Sequence, residues 1–169
     1  RATLTLGRRT STGDREGEVV ETLPVRVDGA AVEAACARFV GSIEQLPPMH
    51  SALKHQGRAL YDYARAGIEV ERIARRITIH RIDIVDWHDE VLVIDVSCSK
   101  GTYIRTLAED IGAALGCGAH LEALCRTGSG CLRVEDAVTI EALAAMDEAH
   151  RMARLRPADV LLSAWPAVH

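Results

Sequence analysis

Val91–Cys98 reads VLVIDVSC, apolar on both faces of an extended chain, and such a segment belongs inside a sheet with a neighbour on each side. Directly after it the apolar period changes. In SKGTYIRTLAEDIGAALGCG, Ile104, Leu107, Ile111 and Leu115 fall on one helical stripe, which Gly116 and Gly118 end. A buried strand driving straight into an amphipathic helix requires a layered fold, with the helix laid on the sheet. The preceding stretch supplies a partner strand. From Arg75 to Trp87 the apolar residues run Ile77, Ile79 and then Ile82, Ile84, a change of phase near His80 that predicts a bulge. His88–Glu90 is the turn that returns the chain to Val91.

The rest of the chain adds shorter elements. RATLTLG reads as a strand with Leu4 and Leu6 on one face, the segment TSTGDREG is turn chemistry, and EVVETLPVRV resumes an extended pattern. Together these predict a hairpin. Asp28 caps an expected helix over Ala30–Gly41, with Val32, Cys36, Phe39 and Val40 on its core face and Gly41 as its stop. Pro47 and Pro48 exclude helix locally, and a second helix is expected from Gly57 to Ala66, closed by Gly67. His120–Val134 predicts a strand pair around TGSG, and a helix capped by Thr139 follows to Met146. The expected fold class is α+β, a mixed, mostly antiparallel sheet with helices on its faces.

At 169 residues the chain has room for one ordinary domain, or a domain with a small appendage. A hydrophobic content of 48% supplies a sizeable core and excludes disordered, collagenous and fibrous classes. No apolar run approaches the ~20 residues that span a bilayer, and the first residues lack the apolar region of a secretory signal. The five cysteines are an odd set without a CxxC pair, which predicts reduced thiols and a cytoplasmic setting. Cys117, His120 and Cys125 would bind zinc only if helix and strand geometry cooperated, and no second ligand pair has finger-like spacing. No metal site is expected.

Charge is uneven. The net charge is −4, yet residues 46–76 carry Lys54, Arg58, Arg65, Arg72, Arg75 and Arg76 against Asp62, Glu69 and Glu71, so that segment is +3 and the remainder −7. Rings interleave with these cations at His50, His55, Tyr61 and Tyr63. Cations that neutralise phosphates beside rings that stack on unpaired bases suit looped RNA, while the same letters also describe an amphipathic surface helix with wet charges. A second cluster, Lys100, Tyr103 and Arg105, stands where the strand meets the helix, whose first N–H groups favour anions. Its plainer reading is a solvated first turn with Arg105 paired to Glu109 at i,i+4, a contact of only ~0.2–0.5 kcal/mol. No Ser-His-Asp grouping, GxGxxG or Walker loop is present.

Three collinear segments, LGRRTSTGDREG, LPPMHSALKHQGRALYDYARAG and VSCSKGTYIRTLAEDIGAALGCGAHLEALCRT, resemble the TruB family of tRNA pseudouridine-55 synthases over about residues 4–127. The resemblance implies an isomerase that flips a uridine out of the tRNA T-loop, breaks its N-glycosidic bond and rejoins the base through carbon, without metal or organic cofactor. It makes Tyr103 the active-site tyrosine near the flipped base and Arg105 the arginine that pairs with the catalytic aspartate. Leu124 falls on an apolar position lining the base pocket. Lys54, Arg58, Tyr61 and Arg65, with His50 and Lys100, become RNA-binding residues, most of them in a thumb insertion at about residues 46–72. His50 stands where the family usually has tyrosine. The family's nucleophile is expected upstream of Arg1 and its PUA-like domain beyond His169, so residues 1–146 are expected to be part of a catalytic domain, residues 147–169 a post-core helix and tail, and the chain alone inactive. Asp14, Asp95 and Asp110 match no nucleophile motif. A monomer acting on the tRNA T-arm, with no membrane partner, is the expected setting. The alternative is a non-catalytic tRNA-binding or tRNA-folding module derived from such an enzyme.

Overall fold

A computed structural model describes residues 1–157 and residue 160. The chain divides into two compact units, Arg1–Cys125 and Arg126–His169. Along the first unit run the strands β1 (Ala2–Leu6), β2 (Arg8–Thr10) and β3 (Val19–Thr22), the helix α1 (Gly29–Ala37), β4 (Gly41–Gln45), β5 (Lys54–His55), β6 (Arg58–Ala59), α2 (Leu60–Arg65), β7 (Arg75–His88), β8 (Val91–Cys98), α3 (Ile104–Leu115) and β9 (Ala119–Leu124). Five strands form one sheet in the order β4-β7-β8-β1-β9. The fold class is α+β, as expected. Every ladder of this sheet is antiparallel, and a single parallel bridge joins Asp14 to Leu121 among the described residues.

β8 holds the middle position that its two-faced apolar sequence requires, with Leu92 and Ile94 fully buried. It pairs with β7 across a turn at Asp89, and the ladder shifts register between Ile79 and Arg81, the change of phase seen in the sequence near His80. A further shift lies between Ile84 and Asp86. The stripe of α3 buries Leu107, Ala108 and Ile111 against Leu4, Leu6, Ile79, Leu92 and Ile94, and Gly116 ends the helix at φ 75°. Gly112 is needed where α3 meets β9, because a Cβ there would lie 2.2 Å from the Ala119 nitrogen. Asp28 caps α1, accepting from the Ala31 N–H at 2.8 Å.

Several expectations are corrected. The chain turns at Gly7, so β1 does not form a hairpin with the next extended stretch; β2 pairs with β3, while β1 sits between β8 and β9. Its buried face, Ala2, Leu4 and Leu6, packs in the core with α3, and its two edges pair with β8 and β9, which a local hairpin would not provide. Gly41 does not stop α1, which ends at Ala37, but opens β4 at φ 113°. The pair expected around TGSG also splits: β9 joins the large sheet, and only a short hairpin forms beyond it.

β4 and β7 are neighbours, and their ladder ends on the rung Gln45↔Arg75. Residues 46–74 leave and re-enter the sheet at that rung. They hold the β5/β6 hairpin, with Gln56 and Gly57 at positive φ in its turn, and α2, which begins at Leu60 rather than Gly57. The second unit contains β10 (Gly128–Ser129), β11 (Leu132–Arg133), α4 (Ile140–Ala145) and α5 (Glu148–Ala153), the last two capped by Thr139 and Asp147. Residues 158, 159 and 161–169 of the expected tail lie outside the described residues. No described helix is long and apolar enough to cross a membrane.

Candidate active site

The site forms where two chain segments converge on the first turn of α3, the second being residues 45–50. The first is the turn at residues 10–17. The Thr12 hydroxyl donates to Asp14 Oδ1 at 2.6 Å, the Glu16 N–H donates to the same oxygen at 3.2 Å, and the Thr10 hydroxyl donates to the Asp14 carbonyl at 2.7 Å. The loop is held on β9, since the Leu121 N–H donates to the Gly13 carbonyl and the Arg15 N–H to the Leu121 carbonyl. The carboxylate is therefore held by its own turn, apart from any cation it meets.

Arg105 is that cation. Its Nη1 donates to Asp14 Oδ2 at 2.8 Å and its Nη2 to the His50 carbonyl at 2.5 Å, with Thr12 O at 3.5 Å beside them. Both side chains are 23% exposed, enough shelter to strengthen a charge-assisted bond. Partial burial works to raise the Asp14 pKa, but the Thr12 hydroxyl and the Arg105 guanidinium outweigh it and hold the carboxyl below its usual range. Arg105 takes Asp14 rather than the i,i+4 partner Glu109. Burial, with the Asp110 charge beside it, pushes the Glu109 carboxyl up against the lowering influence of Arg9 and Arg105. Glu109 lies under the turn: a Cβ on Gly13 would come within 2.9 Å of its carboxyl group.

Tyr103 is the N-cap of α3 and adopts extended backbone. Its N–H donates to Gln45 Oε1 at 2.8 Å, and its carbonyl accepts from Gln45 Nε2 at 3.1 Å. Lys100 is exposed just ahead of the helix. The residues expected in a thumb lie on the β5/β6 hairpin and α2. The Arg58 guanidinium lies 4.7 Å from the centre of the Tyr63 ring and donates to the Asp62 carbonyl, while Arg65 lies 5.3 Å from the centre of the Tyr61 ring. The Tyr63 hydroxyl donates to the His55 carbonyl at 3.2 Å. A cleft of about 260 Å³ has Pro47, Leu53 and Leu60 among its lining and Lys54, Arg72 and Arg75 around them.

The structure thus brings Arg105, in the same helix turn as Tyr103, to the main chain of His50, while Lys54, Arg58, Tyr61 and Arg65 lie on the β5/β6 hairpin and α2. Leu124 pairs with Ala2 at the far end of β9 and is 56% exposed. Cys117, His120 and Cys125 do not assemble as metal ligands: Cys117 is buried in the core, His120 Nδ1 sits 3.2 Å from the Arg8 carbonyl, and Cys125 is exposed. Sequence reasoning missed Asp14 and Gln45. The signal for Asp14 was the pair of hydroxyls at Thr10 and Thr12 around one carboxylate; for Gln45 there was only a lone amide between Glu44 and Leu46, ahead of the two prolines.

Residues 1–104 match the model of the TruB family pseudouridylate synthase N-terminal domain, and residues 105–163 match that of the tRNA pseudouridylate synthase B C-terminal domain. The chain belongs to the TruB pseudouridylate synthase family. It is 58% identical over 167 residues to tRNA pseudouridine synthase B of Burkholderia lata, covering 99% of this chain and 52% of that one. It is 56% identical over 169 residues to the protein of the same name from Thiobacillus denitrificans, covering 100% and 57%. This TruB-family chain spans about half the length of the curated relatives it matches. Among solved structures it resembles a chain of a Cbf5-Nop10-Gar1 complex, with TM-score 0.60 and 27% identity over 84% of this chain and 33% of that one. An H/ACA RNP bound to a substrate RNA shares the fold, with TM-score 0.57 and 22% identity over 90% of this chain and 37% of that one. The two TruB segments meet between Ile104 and Arg105, inside the first turn that carries the site.

Proposed function

We propose that the complete protein converts a uridine in the T-loop of tRNA to pseudouridine, and that this chain supplies the arginine, the tyrosine and the thumb. The observation that carries this reading is the Arg105 guanidinium, held at once by the Asp14 carboxylate and by the His50 carbonyl at the root of the thumb. A guanidinium fixed on two sides is a preorganised donor, and its remaining N–H groups orient the family's catalytic aspartate, expected upstream of Arg1. Residues 1–146 act as part of the catalytic domain, residues 46–72 as its RNA-gripping thumb, and residues 147–169 as the tail that follows the core. The T-arm stem-loop meets His50, Lys54, Arg58, Tyr61, Arg65 and Lys100.

The reaction needs the target base out of its stack, with Tyr103 against it and Leu124 on the apolar side of the pocket. The N1–C1′ bond breaks, the base turns, and a C5–C1′ bond forms; the C5 proton leaves to a base and N1 gains a proton. Every step is an internal rearrangement or a proton transfer, so the reading invokes no metal or organic cofactor. It places the protein in the cytoplasm as a monomer.

The test follows the C5 proton. Full-length protein is mixed with tRNA tritiated at uridine C5, and tritium release is read beside the mass spectrum of the derivatised nucleosides. Release that matches pseudouridine formation at one T-loop position is the expected result. tRNA binding without release would instead favour a tRNA-binding or tRNA-folding module.

A further inference from the structure

We propose that Gln45 is a positioning residue for this reaction: both ends of its carboxamide fix the backbone of Tyr103, and so the direction in which Tyr103 and Arg105 leave the start of α3. The inference rests on the function proposed above. Gln45 is the last residue of β4 and only 2% exposed, and a side-chain amide at that depth is costly unless both its donor and its acceptor are used. Both ends meet one residue, 58 positions away in sequence: Oε1 accepts from the Tyr103 N–H at 2.8 Å and Nε2 donates to the Tyr103 carbonyl at 3.1 Å.

Tyr103 is the N-cap of α3 and makes no side-chain cap of its own. Its carbonyl also accepts the first hydrogen bond of the helix, from the Leu107 N–H at 3.1 Å. Gln45 therefore grips the residue that sets where the helix begins, and Arg105 stands two residues further on in the first turn. Gln45 is itself held by the sheet, through the rung it forms with Arg75, so the clamp has a rigid base. A slack cap would turn Tyr103 and Arg105 together, and a displacement of about 1 Å at reacting groups is enough to cost ~10²-fold in rate.

Two substitutions in the full-length protein separate positioning from mere support. Gln45→Leu has similar bulk and makes neither bond. Gln45→Glu, when ionised, can accept from the N–H but turns a second acceptor toward the carbonyl; when protonated it matches the amide's donor and acceptor. Single-turnover rates on C5-tritiated tRNA are measured beside the tRNA Kd and the melting temperature, well below each variant's transition. Gln45→Leu is expected to lose ~10²-fold in single-turnover rate with tRNA Kd unchanged. Gln45→Glu is expected to be slow at neutral pH and to gain on the wild type as pH falls. An active wild type with a Gln45→Leu variant at the same rate, or one whose rate falls only in step with tRNA affinity, overturns the inference alone. If Gln45→Leu does not fold, the Gln45→Glu pH profile decides, and a profile parallel to wild type overturns it. A wild-type protein that forms no pseudouridine overturns the parent reading and this inference with it.

Discussion

Asp14 explains itself locally, which is why sequence reading passed it over: the Thr12 hydroxyl and the Glu16 N–H would fill one oxygen of any turn aspartate. Its other oxygen is the informative one, and the partner, Arg105, lies 91 positions away. Tyr103 and Arg105 were legible because their motif is contiguous; Asp14 and Gln45 were not, because contacts across the fold carry no local spacing. Asp14→Asn keeps the shape and removes the charge, so in the full-length protein, on the function proposed, it is expected to slow single-turnover chemistry while tRNA affinity holds; equal losses in both would give Asp14 a binding role. The sign of its stability effect follows from the lowered pKa. Ionised Asp14 stabilises the fold above the usual carboxylate range, and that contribution is lost as pH falls through the depressed value. Melting curves of wild type and Asp14→Asn are expected to diverge near neutrality and to converge in acid. Glu109 runs the other way. Its raised pKa means that the protonated form suits the fold, so its contribution is present below the usual carboxylate range and lost as pH rises through the raised value. Glu109→Gln is expected to melt higher than wild type at neutral pH, with the difference vanishing in acid.

Elements with strong periodicity were legible: β8 in the sheet's centre, β7 with its bulge, and α3 from its stripe to its glycine stop. β4 was not. GSIEQ offers one large apolar residue, Ile43, and an edge strand needs little more, since only one neighbour pairs with it. Between β4 and β7, the helix expected over Gly57–Ala66 forms as the shorter α2, while the hairpin before it is two residues to a strand and leaves no pattern to read. The cations between β4 and β7 already have neighbours of their own. Arg58 and Arg65 lie over the rings of Tyr63 and Tyr61, whereas Lys54 lies over no ring among the described residues. If Lys54 and Arg58 both meet phosphates, neutralising them together in the full-length protein should flatten the slope of log K for tRNA against log salt by about 1.4–1.8. Tyr103→Phe should keep the wild-type slope, because it releases no counterions. An unchanged slope in the double variant would remove these two residues from the RNA interface.

At the scale of the molecule, the main apolar cluster runs from Ala2 to Leu121 and lies wholly inside the first unit. The sequence announced a core of that size through its composition, yet gave no sign that the unit closes at Cys125, where the Cys125 N–H donates to the Arg1 carbonyl. A chain ended after Cys125 is therefore expected to keep a cooperative thermal transition and dispersed methyl resonances; a broad, dye-binding collapse would show that the later residues are needed for the core. The rung between Gln45 and Arg75 has a different consequence. Everything from residue 46 to residue 74 hangs from two backbone positions that the sheet already holds side by side, so the ladder does not register how long the excursion is. Doubling such a loop costs only about 0.6 kcal/mol in closure entropy. The excursion is in that sense an interchangeable part: it can be lengthened, trimmed or given other charges while the bonds from Gln45 to Tyr103 and the strands beneath stay as they are.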